Sequence, residues 1–348
     1  MNHHKENEIR RICSGHLFDK SRYAVGMLFM IFLILPCSSC NDEGTPVPGD
    51  IDFRQEMRHF VQNISDYAKQ IKPDFVIVPQ NGVELVGKTE GDLVIPVAKY
   101  IDAIDGIGQE DLLYGYDNDD EATPEMVTSA LKSYLDIAKD GNVTIMVTDY
   151  CYTHSKMDDS YVRNSAWGYI SFAADHRGLD NVPDYPDPIF RENQNIVSTL
   201  SEAENFLYLI DPSGKYNSKQ DFINAVKNTN YDLLITDLFF NENAFTKDEV
   251  LQLKIKANGG IRMVISYMSI GEAEDYRYYW QPDWKPGNPP FIEKENPDWK
   301  GNYVVRYWDP DWQKIIFGNE GSYLKKIIDA GFDGVYLDII DAYEYFEQ

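Results

Sequence analysis

The sequence predicts an α/β protein of the (β/α)8 (TIM) barrel class. Short apolar runs of β-prone residues alternate with segments whose apolar residues follow helical spacing. Such alternation is typical of a parallel sheet, and eight such runs indicate closure into a barrel. Several of the runs end directly at a carboxylate, which is where barrels of this class carry their chemistry.

The eight predicted strands are short, and their apolar character suits strands buried on both faces. They cover residues 75–78, a short run that ends at Glu110, 143–147, 206–210, 231–236, 261–268, 303–307 and 335–337. The segment 154–193 contains several prolines and is interpreted as a helix followed by a loop-rich excursion.

The helices between these strands have recognisable ends. Pro124 suits a first helical position, Ser218 an N-cap, and Thr246 with Glu249 a capping box. Gly331 suits the left-handed position that ends a helix. Helical spacing predicts helices over 51–72, 93–101, 123–141, 218–226, 246–257 and 312–330, the last broken near 318–321.

The first forty residues are typical of a targeting segment. Basic residues precede an apolar run over 25–35, and small residues then lead to Cys40. This end resembles a bacterial lipoprotein processing site, so residues 1–39 are predicted to be a signal peptide and Cys40 the lipidated residue. Residues 40–52 would form a flexible tether, and residues 53–348 a single domain. About eleven apolar residues are too few for an uncleaved spanning helix.

The charge of the chain restricts its partners. The segment before Cys40 holds five of the 32 basic and three of the 57 acidic residues, so the remainder carries a formal net charge of −27. Such a charge disfavours nucleic acid and favours neutral or cationic partners. Past Cys40 the only cysteine is Cys151, which excludes an internal disulfide and a cysteine-based zinc site. No cofactor-binding motif follows any strand, and no cofactor is expected.

The predicted barrel would gather acids and amides at one end. These residues follow the predicted strands: Gln80, Asn81, Glu110, Asp149, Asp237, Glu272, Asp309 and Asp338. Taken alone, each acid could equally well cap a helix or stabilise a turn instead of acting in a site. Together with neighbouring aromatic residues they indicate a glycoside hydrolase, in which paired carboxylates act on a sugar held against aromatic rings. Several carboxylates could also hold a divalent metal, although no EF-hand or His-Glu-x-x-His spacing is present.

Three motifs resemble glycoside hydrolase family 114, which includes endo-α-1,4-polygalactosaminidases. The first runs from Ser266 to Trp280 (SYMSIGEAEDYRYYW), the second from Trp299 to Pro310 (WKGNYVVRYWDP) and the third from Gly331 to Tyr343 (GFDGVYLDIIDAY). With the segment 79–82, the resemblance extends over nearly all of residues 53–348. It implies a barrel glycosidase that acts on an amino-sugar polymer.

The order of these motifs differs from the usual order of the family. Segments resembling residues 206–343 come first in the family, and those resembling 53–180 follow. The sequence is therefore interpreted as circularly permuted, which a closed barrel permits when its termini lie close together. This interpretation requires Phe53 and Phe346 to lie at the same end of the barrel.

The resemblance implies a catalytic pair, Asp338 and Glu110. Asp338 is assigned as nucleophile and Glu110 as general acid/base in a retaining mechanism, with the exchanged roles left open. The residues expected to bind substrate are Asp237, Glu272, Asp309, Asp149, Tyr150, Asn81, Gln80, Tyr267, Trp308, Tyr336 and Asp341. Tyr336 stands where the family commonly has an acid. The alternative is a carbohydrate-binding lipoprotein that has lost turnover.

The acidic residues directly after Cys40 resemble the surface-export signals of some Gram-negative lipoproteins. The predicted location is therefore the outer membrane or surface of such a bacterium. In that case a lipid anchor would be the protein's only contact with the membrane.

Overall fold

The computed structural model describes residues 51–91 and 93–347. The predicted signal peptide, Cys40 and most of the tether lie outside these residues. Of the tether, Asp52 is described, and its carboxylate accepts a 2.9 Å hydrogen bond from the backbone N–H of Gln55 at the start of the first helix. Within the two described ranges, no helix combines the length and the apolar character that a membrane span needs.

Eight parallel strands form the centre of the fold. They are β1 (Val76–Pro79), β4 (Gly106–Glu110), β5 (Thr144–Tyr150), β6 (Ile170–Ala174), β7 (Phe206–Tyr208), β8 (Leu233–Asp237), β11 (Met263–Ser269) and β15 (Gly334–Asp338). Five of them pair in the order β1-β15-β11-β8-β7, and three pair in the order β4-β5-β6. Nearly all their residues are buried, as expected for strands covered on both faces.

The two sheets meet along β1 and β4. The backbone N–H of Asn81 donates to the carbonyl of Gly108 (2.7 Å), and that of Asp105 donates to the carbonyl of Ile77 (2.9 Å). On the other side, β6 and β7 contact each other through side chains, with the ring centroids of Phe172 and Phe206 5.8 Å apart. The arrangement is compatible with a TIM-barrel-like glycoside hydrolase. Closure of the barrel and circular permutation stay predictions.

The helices and the shorter strands complete the chain. The helices are α1 (Phe53–Ile71), α2 (Ala98–Ile101), α3 (Glu125–Asp140), α4 (His154–Ala166), α5 (Lys219–Lys227), α6 (Lys247–Leu253), α7 (Pro310–Ile316), α8 (Tyr323–Asp329) and α9 (Tyr343–Phe346). The antiparallel strands are β2 (Gly87–Glu90), β3 (Leu93–Pro96), β9 (Phe239–Phe240), β10 (Asn243–Ala244), β12 (Glu272–Glu274), β13 (Ile292–Glu295) and β14 (Asn302–Val305).

The structure corrects three predictions of local structure. Residues 303–307 were expected to form a strand of the barrel, but β14 pairs antiparallel with β12 and β13. These three strands are called the side sheet below. The eighth parallel strand is β6, within the segment interpreted as helix and loop. Residues 93–101 form an exposed strand and one helical turn rather than one helix, because 93–96 pairs with 87–90.

The two ends of the described chain lie side by side. The rings of Phe53 and Phe346 stack with centroids 5.4 Å apart, and Arg54 forms an ion pair with Glu347 at 3.0 Å. The guanidinium of Arg54 also lies 4.5 Å from the ring centroid of Tyr343. The proximity that a circular permutation requires is therefore present.

Candidate active site

The carboxyl ends of the parallel strands open into one large cleft of about 1210 Å³. A volume of this size accommodates several sugar rings, since sites for drug-sized ligands occupy roughly 300–1,000 Å³. Nine of the residues proposed from the sequence line this cleft: Asp338, Glu110, Asp237, Glu272, Tyr150, Asn81, Gln80, Tyr267 and Asp341. The fold thus brings together residues that are up to 261 positions apart in the chain.

Asp338 ends β15 and is held by two hydrogen bonds. Its Oδ2 accepts from the hydroxyl of Tyr267 (2.6 Å), and its Oδ1 accepts from the backbone N–H of Ile339 (2.8 Å). Burial raises the pKa of Asp338 to about 7, and the nearby charge of Glu110 contributes in the same direction. Such a carboxyl group can carry a proton near neutral pH, as a general acid must.

Glu110 ends β4 and is also held at both oxygens. Its Oε2 accepts from the amide of Asn81 (3.0 Å), and its Oε1 accepts from the hydroxyl of Tyr150. The Asn81 Oδ1 accepts in turn from the backbone N–H of Glu110 (3.0 Å). Arg177 lies over the ring of Tyr150, with its guanidinium carbon 4.1 Å from the centroid. These contacts fix the carboxylate of Glu110 toward the cleft.

Each of the two acids is followed by a residue in the left-handed backbone region. Asp111 has φ 57° and Ile339 has φ 59°. This conformation is unfavourable for ordinary residues, and especially so for a β-branched isoleucine. Strain of this kind is found most often at functional sites, where the surrounding structure enforces it. Here it sharply turns the chain directly after both carboxylates.

Tyr336 lies two residues before Asp338 on β15, between the parallel strands. Its side chain is fully buried, and a Cβ on Gly108 would lie 1.9 Å from its hydroxyl oxygen. Burial raises the pKa of Tyr336 far above its ordinary value, and the charges of Glu110 and Asp338 add to the effect. The side chain is packed between the strands and does not line the cleft, so substrate binding by Tyr336 stays a prediction that this position does not favour.

Three further residues proposed from the sequence do not line the cleft. Asp149 is buried and accepts from the backbone N–H of Leu113 (2.8 Å) and the hydroxyl of Ser160 (2.6 Å). Asp309 caps α7, and Trp308 packs against Phe346 with ring centroids 4.6 Å apart. Asp149 is thus a structural acceptor. The roles predicted for Asp309 and Trp308 depended on a barrel strand at 303–307, but this segment belongs to the side sheet.

A buried arginine connects Asp237 to the side sheet. Arg277 forms ion pairs with Asp237 (2.7 Å) and Glu274 (2.6 Å), and the hydroxyl of Tyr276 donates to Glu274 (2.6 Å). Sequence reasoning did not assign a role to Arg277 or Glu274, although both lie within the first family motif. Burial raises the pKa of Asp237, while the arginine opposes that rise.

Glu272 holds together a turn at the edge of the cleft. This buried carboxylate accepts from the amides of Asn296 (2.8 Å) and Asn302 (3.3 Å). Burial raises the pKa of Glu272 to about 7, and the charge of Asp338 adds to this rise. Because both of its oxygens accept hydrogen bonds from side-chain amides, Glu272 holds the segments around Asn296 and Asn302 in place beside the cleft.

Three further acidic residues line the cleft near Asp338. Asp341, Glu344 and Glu84 all line the cleft, and the hydroxyl of Tyr343 donates to Glu84 (3.0 Å). Burial raises the pKa of Asp341, and the charge of Asp338 raises it further. Burial also raises the pKa of Glu344, with the charge of Asp341 adding to the rise. Within residues 51–91 and 93–347, no cluster of His, Cys, Asp and Glu has an arrangement that could hold a metal ion.

The parallel strands, the paired carboxylates and the tyrosine-lined cleft are typical of carbohydrate-active barrel proteins. Comparison with known families agrees: residues 193–348 match the model of glycoside-hydrolase family GH114. The family assignment made from the motifs is therefore confirmed for this part of the chain. The matched region includes Asp338, whereas Glu110 lies before the start of that region. The family suggests glycoside hydrolase activity.

The chain is also similar to three uncharacterized proteins from other organisms. That of Methanocaldococcus jannaschii is 39% identical over 160 residues, 45% of this chain and 43% of the relative. That of Deinococcus radiodurans is 42% identical over 125 residues, 36% and 38% of the two chains. That of Thermotoga maritima is 44% identical over 97 residues, 28% of each. The matched region spans less than half the length of each relative.

Proposed function

We propose that the protein is a glycoside hydrolase in which Asp338 and Glu110 cleave a glycosidic bond. The observation that carries this proposal is the placement of both carboxylates at strand ends in one cleft. They lie near enough for the charge of Glu110 to help raise the pKa of Asp338. Two carboxyl groups in one cleft, one of them with a pKa raised to about 7, supply the acid and the carboxylate that glycoside hydrolysis needs.

The electrostatic surroundings favour the exchanged roles within the pair. Asp338 has a raised pKa and has Glu110, Glu274 and Asp341 as acidic neighbours. Glu110 has the guanidinium of Arg177 among its neighbours. A proton is therefore better held on Asp338, which would then act as general acid, with Glu110 as the nucleophile of a retaining mechanism. Product anomers followed by NMR would separate retention from inversion.

For the substrate we propose a polymer of amino sugars, resembling polygalactosamine. Twelve acidic side chains line the cleft against three basic ones. Two of those three are already paired: Arg177 with Asp111 and Arg277 with Asp237. The excess negative charge would attract the ammonium groups of such a polymer. Galactosamine polymer and its N-acetylated form, tested side by side, would show whether the free ammonium group is required.

The rival function is carbohydrate binding without turnover. It would require only the cleft and its aromatic residues, and it would not explain the two carboxylates or the strained backbone directly after them. The Asp338→Asn variant discriminates, because an enzyme loses turnover and keeps its ligand, whereas a binding protein has no turnover to lose. A metal-dependent hydrolase would instead lose activity in EDTA, which the carboxylate mechanism does not predict.

We further propose that the protein is a cell-envelope lipoprotein anchored through Cys40 and that its barrel is circularly permuted. The N-terminal sequence supports the first proposal. The stacking of Phe53 on Phe346 supports the second. Labelling with a radioactive fatty acid in a Gram-negative host tests the anchor, with Cys40→Ala as control. A chain rearranged to begin near residue 193 and to join the present ends would test the permutation by folding or failing to fold.

A further inference from the structure

Trp299 is exposed at the edge of the cleft, unlike the neighbouring tryptophans. Trp280 and Trp284 pack on each other with ring centroids 5.3 Å apart, and Trp280 also contacts Tyr303 at 4.8 Å. Trp299 lines the cleft and leaves 62% of its surface exposed. A ligand that covers this ring would remove apolar surface from water, which is favourable.

The turn that carries Trp299, residues 296–302, is fixed at both ends. Asn296 and Asn302 both donate to the buried carboxylate of Glu272, so one acid holds the two ends of the turn together. The backbone N–H of Asn302 donates to the carbonyl of Trp299 (3.0 Å) and closes the tip of the turn. Trp299 is thus presented to the cleft on a rigid support.

The tip of this turn also requires a glycine. Gly301 has φ +89°, and a Cβ at this position would lie 2.8 Å from the Oδ1 of Asp275. The backbone N–H of Gly301 donates to Glu295 (3.0 Å), and its carbonyl accepts from the N–H of Asp275 (2.8 Å). These contacts join the turn to the side sheet and limit its movement relative to Glu272.

We propose that Trp299 is a stacking platform for a pyranose ring, at a sugar subsite on the side-sheet wall of the cleft. This inference rests on the proposed function, because it assumes that the cleft holds a glycan. The indole ring offers a flat apolar face that suits the C–H face of a pyranose, and its fixed support reduces the entropy lost on binding. Glu272 then acts as a positioning residue, through the turn.

The test is the affinity for galactosamine oligomers, from dimer to hexamer, measured by calorimetry in the non-hydrolysing Asp338→Asn variant. In that background, Trp299→Ala should weaken hexamer binding by about threefold to tenfold, the effect of losing one aromatic stacking contact. Trp299→Phe keeps a ring and should recover most of the affinity. Tyr152→Ala is the matched control, since Tyr152 is 61% exposed but lies outside the cleft.

The possible outcomes separate this inference from the proposed function. If the wild type hydrolyses the polymer but Trp299→Ala binds the hexamer as tightly as its parent, the stacking platform is wrong and the hydrolase stands. If no oligomer binds and the wild type releases no sugar, both proposals are overturned. Melting temperatures of all variants are compared, and the exposed position of Trp299 predicts little change.

Discussion

The hydroxyl of Tyr267 donates a 2.6 Å hydrogen bond to Oδ2 of Asp338, across the neighbouring strands β11 and β15. This bond lowers the pKa of Asp338, against the larger upward effect of burial. Removing the hydroxyl in Tyr267→Phe should therefore raise the pKa of Asp338 further. The limb of the pH–activity profile that reports Asp338 should move to higher pH.

The control for this experiment is Tyr114→Phe. It removes a similar bond, from the Tyr114 hydroxyl to Asp159 at 2.8 Å, which lies outside the cleft. This variant should leave the profile unchanged. A profile that is identical in the wild type and in Tyr267→Phe would contradict the assignment of that limb to Asp338.

The direction of the pH dependence distinguishes the two roles of Asp338. As general acid, Asp338 must be protonated, so kcat/KM should fall as the pH rises through about 7. As nucleophile, it must be ionised, and kcat/KM should fall as the pH decreases through the same region. We expect kcat/KM on a galactosamine polymer to fall as the pH rises. The Glu110→Gln variant should be inactive at every pH tested.

The raised pKa of Asp338 also predicts a dependence of stability on pH. A carboxyl group whose pKa is higher in the folded than in the unfolded state binds a proton on folding, so stability decreases as the pH rises from about 4 to about 7. Asp338→Asn removes this cost. It should increase the free energy of unfolding at pH 8 by roughly 1–3 kcal/mol and have little effect at pH 4.

Urea denaturation at the two pH values measures this effect. Asp311→Asn provides a control, because that carboxylate lies on the exposed face of α7. Equal stabilisation at both pH values would show that the ionised form of Asp338 carries no energetic cost in the folded protein.

The ion pairs of Arg277 hold the side sheet against β8. Arg277→Met would leave the carboxylates of Asp237 and Glu274 buried without a counter-charge, at a cost of roughly 3–5 kcal/mol. Arg277→Lys keeps the charge and should cost less. Arg163→Met is the control, since Arg163 pairs with Asp159 on the surface and should contribute little. Thermal unfolding compares the four proteins, and equal costs for both methionine variants would refute this role.

Much of the centre of the fold could be predicted because its signals are local. The apolar runs that end at Glu110, Asp237 and Asp338 are parallel strands, and Ser218 and Thr246 cap helices as expected. Seven of the eight parallel strands were recognised. The strand β6 was missed because it lies inside the segment 154–193, whose prolines indicated a loop-rich excursion.

The remaining errors concern tertiary pairing, which a single sequence does not reveal. The run 303–307 has the pattern of a buried strand, but its partners are β12 and β13. Asp149 lies near the end of a parallel strand, as the acids of the cleft do. Its carboxylate oxygens, however, accept hydrogen bonds from two backbone N–H groups and from the hydroxyl of Ser160. Arg277 was overlooked because one of its two partners, Asp237, lies 40 positions away in the chain and is brought to it by the fold.

The most direct test of the proposed function is the release of reducing ends from galactosamine-containing and other amino-sugar polymers. Wild type and Asp338→Asn should be assayed side by side, with binding of the same polymers measured for both. We predict release by the wild type alone and binding by both proteins. Equal release by both would remove Asp338 from the mechanism, and binding without any release would show that the protein binds carbohydrate and does not cleave it.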